Sequence, residues 1–470
     1  MKRSFNDYRL AGLVGGLLLA AGQFYSPLCL LQLVALLPMM LLAIRDKKFT
    51  LAAITGFYMG IAYTIPQMIY LRMPQQVTVI LIIYMTIQLI ILCMAIAWFL
   101  PKHPILGPLA IAATWYILDW VNYTAIPIWG MAQSFARSWT AYPFTIGFIS
   151  VTSISGVLFV VALLQGLAAH LITQKSSHTS GITQSPRPLI LTAGILLLLV
   201  LAADTVFWFE KPIDSLRIAA AGGVYQESNA DINSNNDDDF EKLFTIPAKQ
   251  AATKNARIFT TGEIGFYISK HSRQKWMDRF AAIAQENDLW LVVGYFNIPA
   301  DQNRIFFMSP QGKIIHEYTK TYLTPLEPGQ KGTGDLKIIE VDEMTVGAMI
   351  CQDDNFSKLT RYYGKKKIDI LLCPVYDWWN VKNAHMQAVR ARSIECNYGI
   401  VRSAACGISA AISAKGQILA KRDHYRDGPG YVIADIDVYK HKTFFSQFGH
   451  SPTITAAAAI ILFALFKRRH

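Results

Sequence analysis

Residues 346–356 read VGAMICQDDNF: an apolar run ends on a thiol, Cys351, and turns at once into amide and acid. Two earlier stretches have the same form. TTGEIGFYI, residues 260–268, places Glu263 just past a strand, and YTKTYLTPLEPG, residues 318–329, does the same for Lys320. One acid, one cation and one thiol each sit where a strand opens into a loop, which is where a rigid scaffold carries reactive groups. Short apolar runs at 216–221, 257–261, 290–295, 304–308, 345–350 and 368–373 read as buried strands. Helical periodicity fills 271–287 and 381–397, so strands alternate with helices and the region is α/β. Ser309-Pro310-Gln311-Gly312 has the chemistry of a hairpin turn, which adds antiparallel pairing.

Outside this region the composition changes. The 470-residue chain is 53% hydrophobic and only 16% charged, against about 25% charged in soluble domains. Residues 1–210 contain only Asp7, Asp46, Asp119, Asp204 and Glu210 as carboxylates. A spanning helix needs about 20 apolar residues. Seven stretches qualify before the α/β region, at about 10–25, 27–44, 50–70, 77–99, 105–121, 144–172 and 189–209, and an eighth lies at about 452–466. The first follows Lys2 and Arg3 like a secretory signal, but no small-x-small site ends it, so a retained helix is expected. The expected organisation is a transmembrane helix bundle over 1–210, a catalytic domain over 211–450 and a last transmembrane helix over 451–470.

Lys and Arg sort by side. With a cytoplasmic N-terminus, the inner segments hold Lys2, Arg3, Arg9, Arg45, Lys47, Lys48, Lys102, Lys175, Arg187 and the tail Lys467, Arg468 and Arg469. The short outer loops hold only Arg72 and Arg137. This bias puts the 211–450 domain on the far side of the membrane, periplasmic or extracytoplasmic. The same distribution excludes nucleic acid as the reason for the +12 formal charge, because the cations flank apolar runs and form no single patch. One outer segment, NYTAIPIWGMAQSFARSWTAYP at 122–143, groups Pro127, Trp129, Trp139 and Tyr142. It reads either as an interfacial aromatic belt or as an amphipathic loop at the lipid surface.

The six cysteines, Cys29, Cys93, Cys351, Cys373, Cys396 and Cys406, form no CxxC pair, and no zinc spacing occurs. Taken singly, each is a small buried hydrophobe. The acidic tract DINSNNDDDF at 231–240 lacks the Gly and Glu of an EF-hand, with Asn236 and Lys242 in those places, and reads as a solvated loop. His385 and Glu395 share one expected helix and read as structural pairing groups. Neither metal nor cofactor is implied.

The Glu263, Lys320, Cys351 order with these flanks resembles the nitrilase, or carbon–nitrogen hydrolase, superfamily, whose fold is an α-β-β-α sandwich. HMQAVRARSIECNYGIVRSAACGISAAISAKGQI, residues 385–418, is similar to that superfamily's helix and strand hairpin. Seven helices before the domain and one after it resemble one membrane branch, the apolipoprotein N-acyltransferases. So do Trp115, Asp119-Trp120 and Ile128-Trp129-Gly130, and Phe445-Ser446-Gln447-Phe448-Gly449. The resemblance implies a ping-pong enzyme. It takes a fatty acyl chain from a phospholipid onto Cys351 and passes it to the N-terminal amine of a diacylated apolipoprotein. A monomer is expected. The chemistry agrees: a thiol with a pKa of about 8.5 needs a base to become a nucleophile. Glu263 is placed for that, and Lys320 with the N–H of the residue after Cys351 for the oxyanion. Glu327 is a second acid shortly after the lysine. The sequence departs from the branch at Gln352 and Asp353, which replace Tyr and Glu. It departs also at Tyr376-Asp377-Trp378-Trp379 and Ala405-Cys406-Gly407. Gln352 and Asp353 are therefore expected to support the acceptor side of the site.

Two rivals stand beside this reading: a membrane-tethered amidase for small C–N substrates, and a scaffold on an inactive nitrilase fold. The three reactive residues weigh against the scaffold, and seven helices exceed what a tether needs. The expected topology has a direct test. A cysteine introduced in the loop near Gly312 should react with an impermeant maleimide in intact spheroplasts; labelling only after the inner membrane is breached overturns it.

Overall fold

The computed structural model describes residues 2–46, 48–124, 128–176, 185–223, 240–325 and 327–467. Pro127, residues 231–239 of the acidic tract, Lys47, Arg468 and Arg469 lie outside them, as do the side chains of Lys2, Arg3 and Lys175. The chain divides into two compact units: Met1–Ile126, Gln133–Trp208 and Phe448–His470 form one, Pro127–Ala132 and Phe209–Gln447 the other.

The first unit is helical. Among the described residues, five segments are long and apolar enough to cross a membrane: Ser26–Asp46, Phe49–Leu71, Gln75–Lys102, Ser155–Gln174 and Arg187–Trp208. Helices Lys2–Phe24 and Leu106–Thr124 and the shorter apolar helix Ser451–Phe466 occupy the other three expected places. Small residues set the crossings. A Cβ on Gly12 or Gly16 would lie 2.4 Å from the carbonyl oxygen of Thr55 or Met59, and one on Gly56 or Gly60 would lie 2.4 or 2.5 Å from the Cα of Ile90 or Thr86.

Two expected spans are interrupted. The stretch expected as one helix over 144–172 is a 3₁₀ turn Pro143–Thr145, a single turn Ile149–Thr152 and then the helix Ser155–Ser176. The break is at Ser153, whose φ is +65°. Ser153 and Ser155 both approach the Tyr123 hydroxyl at 3.0 Å, and Phe148 N–H donates to Asp204 at 2.6 Å. The stretch at 27–44 starts as a 3₁₀ turn, Ser26–Leu31, and its polar members are satisfied internally. Gln32 donates to Phe135 O at 2.9 Å and accepts from Trp139 Nε1 at 2.7 Å, while Gln165 accepts from Leu36 N–H at 2.8 Å. Trp139 is thus buried and hydrogen-bonded, not part of a lipid-facing belt. Asp119, fully buried, accepts from Ser134 Oγ (2.9 Å), Phe135 N (2.8 Å) and Ser155 Oγ (2.7 Å), which is how an apolar helix tolerates a carboxylate.

The second unit is built on two sheets. Its strands are β1 (Asp214–Gly222), β2 (Ile258–Thr260), β3 (Tyr267–Ile268), β4 (Trp290–Asn297), β5 (Gln302–Met308), β6 (Ile314–Thr319), β7 (Ile339–Val341), β8 (Met344–Ala348), β9 (Ile370–Val375), β10 (Gly399–Ala404), β11 (Ile408–Ile412), β12 (Ile418–Asp423) and β13 (Gly430–Val438). One sheet runs β13-β1-β2-β4-β5-β6 with β3 beside β4; the other runs β12-β11-β10-β9-β8-β7. Both pairing modes occur: β1-β2-β4 and β8-β9-β10 are parallel, and the β5–β6 hairpin turns through Gly312 at φ +73°.

Strand periodicity of two sorts the core. Leu216, Ile218 and Ala220 of β1, Val292 of β4 and Ile305 and Phe307 of β5 share a cluster with Val346 of β8 and Ile370 and Leu372 of β9, between the sheets. Their neighbours Ala219, Ala221, Leu291, Val293, Phe306 and Met308 face away, onto helices Ile246–Thr253 and Arg273–Asn287 through Ala248, Trp276, Phe280 and Ile283. Helices Ser357–Lys366 and Lys382–Cys396 cover the second sheet through Leu359, Tyr363, Met386 and Val389. The order of layers is α-β-β-α.

Residues 128–132 belong to this unit although they fall inside the expected helical region. Gln352 Nε2 donates to Ile128 O at 3.0 Å, Trp129 meets Trp378 with ring centroids 5.5 Å apart, and Gly130 packs so closely that a Cβ would lie 2.6 Å from Asn355 O.

Close packing also fixes the loop after β2. A Cβ on Gly262 would lie 2.2 Å from Ala405 N. Gly262→Ala is expected to cost about 1–3 kcal/mol by overpacking, a Tm fall of about 2–10 °C for a domain of this size. An unchanged melting curve in detergent would contradict this packing.

Candidate active site

Three strand ends carry the reactive groups. Glu263 follows β2, Lys320 follows β6 and Cys351 follows β8. They are 2%, 2% and 4% exposed, so the charges must be compensated by one another. Lys320 Nζ donates to Glu263 Oε1 at 2.7 Å and to both oxygens of Glu327 at 2.8 Å. Asn303 Nδ2, from β5, donates to Glu263 Oε1 at 2.6 Å and reaches Glu327 Oε1 at 3.4 Å. The backbone N–H and hydroxyl of Thr324 both donate to Glu327 Oε2 at 2.8 Å. Glu327 is therefore a full member of the constellation. Asn303, unmarked in its strand sequence, is one that sequence reasoning missed.

Burial works against the Lys320 charge, but the attraction of Glu263, Cys351 and Glu327 outweighs it and holds the ammonium well above its usual range. Burial also opposes the Glu327 charge, and Lys320 more than offsets it, so Glu327 titrates below the usual carboxylate range. Glu263 is pushed up, first by burial and then by Glu327, with Lys320 opposing. Its Oε2 is buried and makes no hydrogen bond at ordinary distance, while the Cys351 thiol beside the carboxylate favours the charged form. Cys351 itself is raised well above an ordinary thiol, by burial first and then by Glu263. The resting pair is thus a thiol next to a carboxylate with one unused oxygen, a geometry for proton transfer.

Backbone conformation aims both partners. Cys351 has φ +45° and the β-branched Ile264, next to Glu263, φ +51°. Such residues are strained and held by their surroundings. Cys351 opens a 3₁₀ turn, Cys351–Asn355, and its Sγ lies 3.8 Å from the Tyr376 carbonyl. At the start of that turn the Gln352 N–H has no intrahelical carbonyl to bind.

The two residues expected on the acceptor side are buried. The Gln352 side chain is used on Ile128. Asp353 is 0% exposed and binds the Lys320 loop to the Cys351 turn: it accepts from Tyr318 Oη (2.8 Å), Tyr322 N (2.7 Å), Thr321 N (3.2 Å) and Ile350 N (3.3 Å). Burial raises it to about 7, with the Tyr322 N–H opposing.

Behind the thiol lies a second buried array. His385 Nε2 meets Asp354 at 2.8 Å, His385 Nδ1 meets Asp377 at 2.7 Å, and Arg402 Nη2 donates to Asp377 Oδ2 at 2.6 Å. Donor atoms of Cys351, Asp377 and His385 lie within 4.8 Å of one another, as a metal site would require. Both imidazole nitrogens already face carboxylates, which hold protons on them, so His385 offers no lone pair. Glu395, the other helix residue expected to pair, binds Arg392 at 2.6 Å.

A thiol, two carboxylates and a lysine at strand ends of an α-β-β-α sandwich define a class, and residues 233–442 match the carbon–nitrogen hydrolase family. The chain is 23% identical to an apolipoprotein N-acyltransferase of Geobacter metallireducens over 98% of this chain and 96% of that one. It is 24% identical to apolipoprotein N-acyltransferase 2 of Treponema denticola over 74% and 75%. Among solved structures it is similar to an amidase from Nesterenkonia sp., at 17% identity and TM-score 0.42, over 53% of this chain and 98% of that one. Residues 233–442 thus carry a carbon–nitrogen hydrolase domain, and the chain over nearly its whole length is similar to apolipoprotein N-acyltransferases.

The Asp353 clamp has a measurable consequence. Asp353→Ala leaves buried N–H groups without an acceptor, at about 1–3 kcal/mol each, so Tm should fall. A shift of about 1 Å between Lys320 and Cys351 should cost on the order of 100-fold in rate. Asp353→Asn, which keeps one acceptor oxygen, should lie between; a native-like Asp353→Ala enzyme would show that the clamp does not position the site.

Proposed function

We propose that this protein is a bacterial inner-membrane enzyme that N-acylates lipoproteins. It takes a fatty acyl chain from a phospholipid, holds it as a thioester on Cys351 and delivers it to the N-terminal amine of a diacylglyceryl-cysteine lipoprotein. The observation that carries this reading is the coincidence, in one chain, of the buried thiol–carboxylate–ammonium set with five helices apolar enough to cross a membrane. The eight helices are read as eight spans of a monomer, with the 211–450 domain outside.

In this mechanism Glu263 takes the thiol proton through its unused Oε2, and the Cys351 sulfur attacks the ester carbonyl. The C=O π pair moves to oxygen. Lys320 gives one ammonium proton to Glu263 and shares one between the two Glu327 oxygens, so its third serves the oxyanion beside the Gln352 N–H. Collapse breaks the C–O bond, and Glu263 returns the proton to the lysophospholipid alkoxide. The amine then attacks the thioester, Glu263 accepts its proton, and collapse releases the amide and a thiolate that the proton restores to a thiol. Glu327, with Thr324 and Asn303 behind it, holds Lys320 in place.

Incubation of the purified protein with phospholipid should add one fatty acyl mass to Cys351, and a diacylated lipopeptide should discharge it to a triacylated product. Cys351→Ala and Cys351→Ser should form no adduct, Glu263→Gln should form almost none, and Lys320→Ala should acylate about 100- to 1000-fold more slowly. Release of ammonia from simple amides without any acyl-enzyme from phospholipid would favour the tethered amidase instead.

A further inference from the structure

The array behind Cys351 has no task in that mechanism, and it is expensive. Asp354, Asp377, His385 and Arg402 are 0%, 2%, 4% and 0% exposed. They come from four places: Asp354 from the nucleophile's own turn, Asp377 from the loop after β9, His385 from helix Lys382–Cys396 and Arg402 from β10. Taking such groups out of water costs several kcal/mol per ion unless the charges close on themselves. They close only with two cations against two anions. Asp377 bridges His385 at 2.7 Å and Arg402 at 2.6 Å, while Asp354 faces His385 at 2.8 Å and the Cys373 thiol at 3.3 Å. Arg402 Nη2 also comes within 3.1 Å of His385 Nδ1, and the shared carboxylate keeps these two cations together.

We infer that His385 is a positioning residue for the nucleophile: as an imidazolium bolted between Asp354 and Asp377, it fixes the turn that carries Cys351 and cancels the Asp377 charge that would otherwise oppose thiolate formation. Three observations support it. Asp354 sits three residues from Cys351 in one 3₁₀ turn, so the bolt acts on the strained backbone directly. The carbonyl that Cys351 Sγ meets at 3.8 Å belongs to Tyr376, next to Asp377. Asp377 is among the groups that raise the thiol, after burial and Glu263, while burial opposes the His385 charge and Asp354 and Asp377 raise it to about 9. The groups facing Cys351 are Glu263, Lys320, Asp377, Arg402 and the Cys373 thiol; those facing His385 are Asp354, Asp377 and Arg402.

The inference rests on Cys351 being the nucleophile of the proposed reaction, but its test needs no lipid. The full-length protein in detergent is alkylated with iodoacetamide from pH 6 to 10, and the Cys351 peptide is quantified by mass spectrometry. His385→Gln, which removes the cation, should move the rate profile upward by about one to two pH units. His385→Lys, which restores it, should bring the profile back toward the native one, a recovery that a purely structural role would not give. Arg402→Gln removes the other cation and should shift the profile in the same direction, so it decides the matter if His385→Gln does not fold. A folded His385→Gln or Arg402→Gln protein with the native profile, or a His385→Lys profile as displaced as that of His385→Gln, overturns the inference. Failure of phospholipid to acylate Cys351 would count against the proposed function while leaving this result standing.

Discussion

One buried ammonium organises the catalytic unit. Lys320 is 2% exposed, and a cation there is tolerable only if anions meet it at hydrogen-bond distance. Glu263 and Glu327 do so, and each needs its own donors in turn: Asn303 for the first, Thr324 for the second. The two carboxylates differ in consequence. Glu327 spends both oxygens on Lys320 and Thr324 and stays ionised, whereas Glu263 keeps one oxygen free and titrates upward. Environment, not residue type, separates the two carboxylates.

The fold makes that ion cluster possible by bringing two sheets to one edge. Glu263 and Lys320 end strands of one sheet and Cys351 ends a strand of the other. Short polar ties hold the edges in register: Glu263 N–H reaches Val375 O at 3.4 Å, and Asp353 gathers the N–H groups of Thr321, Tyr322 and Ile350. A left-handed Cys351 is affordable only against such a frame. The preorganisation that the proposed reaction needs is thus distributed over backbone donors well outside Glu263, Lys320 and Cys351.

The helical unit obeys the same rule in a drier setting. Backbone and side-chain polar groups among apolar helices must find partners inside the protein. Asp119, Gln32 and Gln165 do, each with two or more hydrogen bonds to other parts of that unit. Their partners lie in residues 134–139 and in the two interrupted stretches, where carbonyls and N–H groups outside regular helix are available.

Much of this was legible in the chain itself. Apolar run lengths locate the long apolar helices among the described residues, and short apolar runs locate the strands that precede Glu263 and Cys351, because burial of a helix stripe or a strand is a local constraint written in local sequence. The four-layer order and the branch came from resemblance of motifs. Other features depended on partners distant in sequence. Ser153 breaks a helix because of Tyr123; Asn303 matters because β5 lies beside the loop of Glu263; Asp353 is a clamp because the Lys320 loop folds over it. His385 reads as an ordinary helix residue until tertiary structure sets Asp354 and Asp377 on either side of it. Spacing along a chain records which face of an element is buried. Which charges meet across elements, and at what cost in desolvation, is decided only when the elements pack.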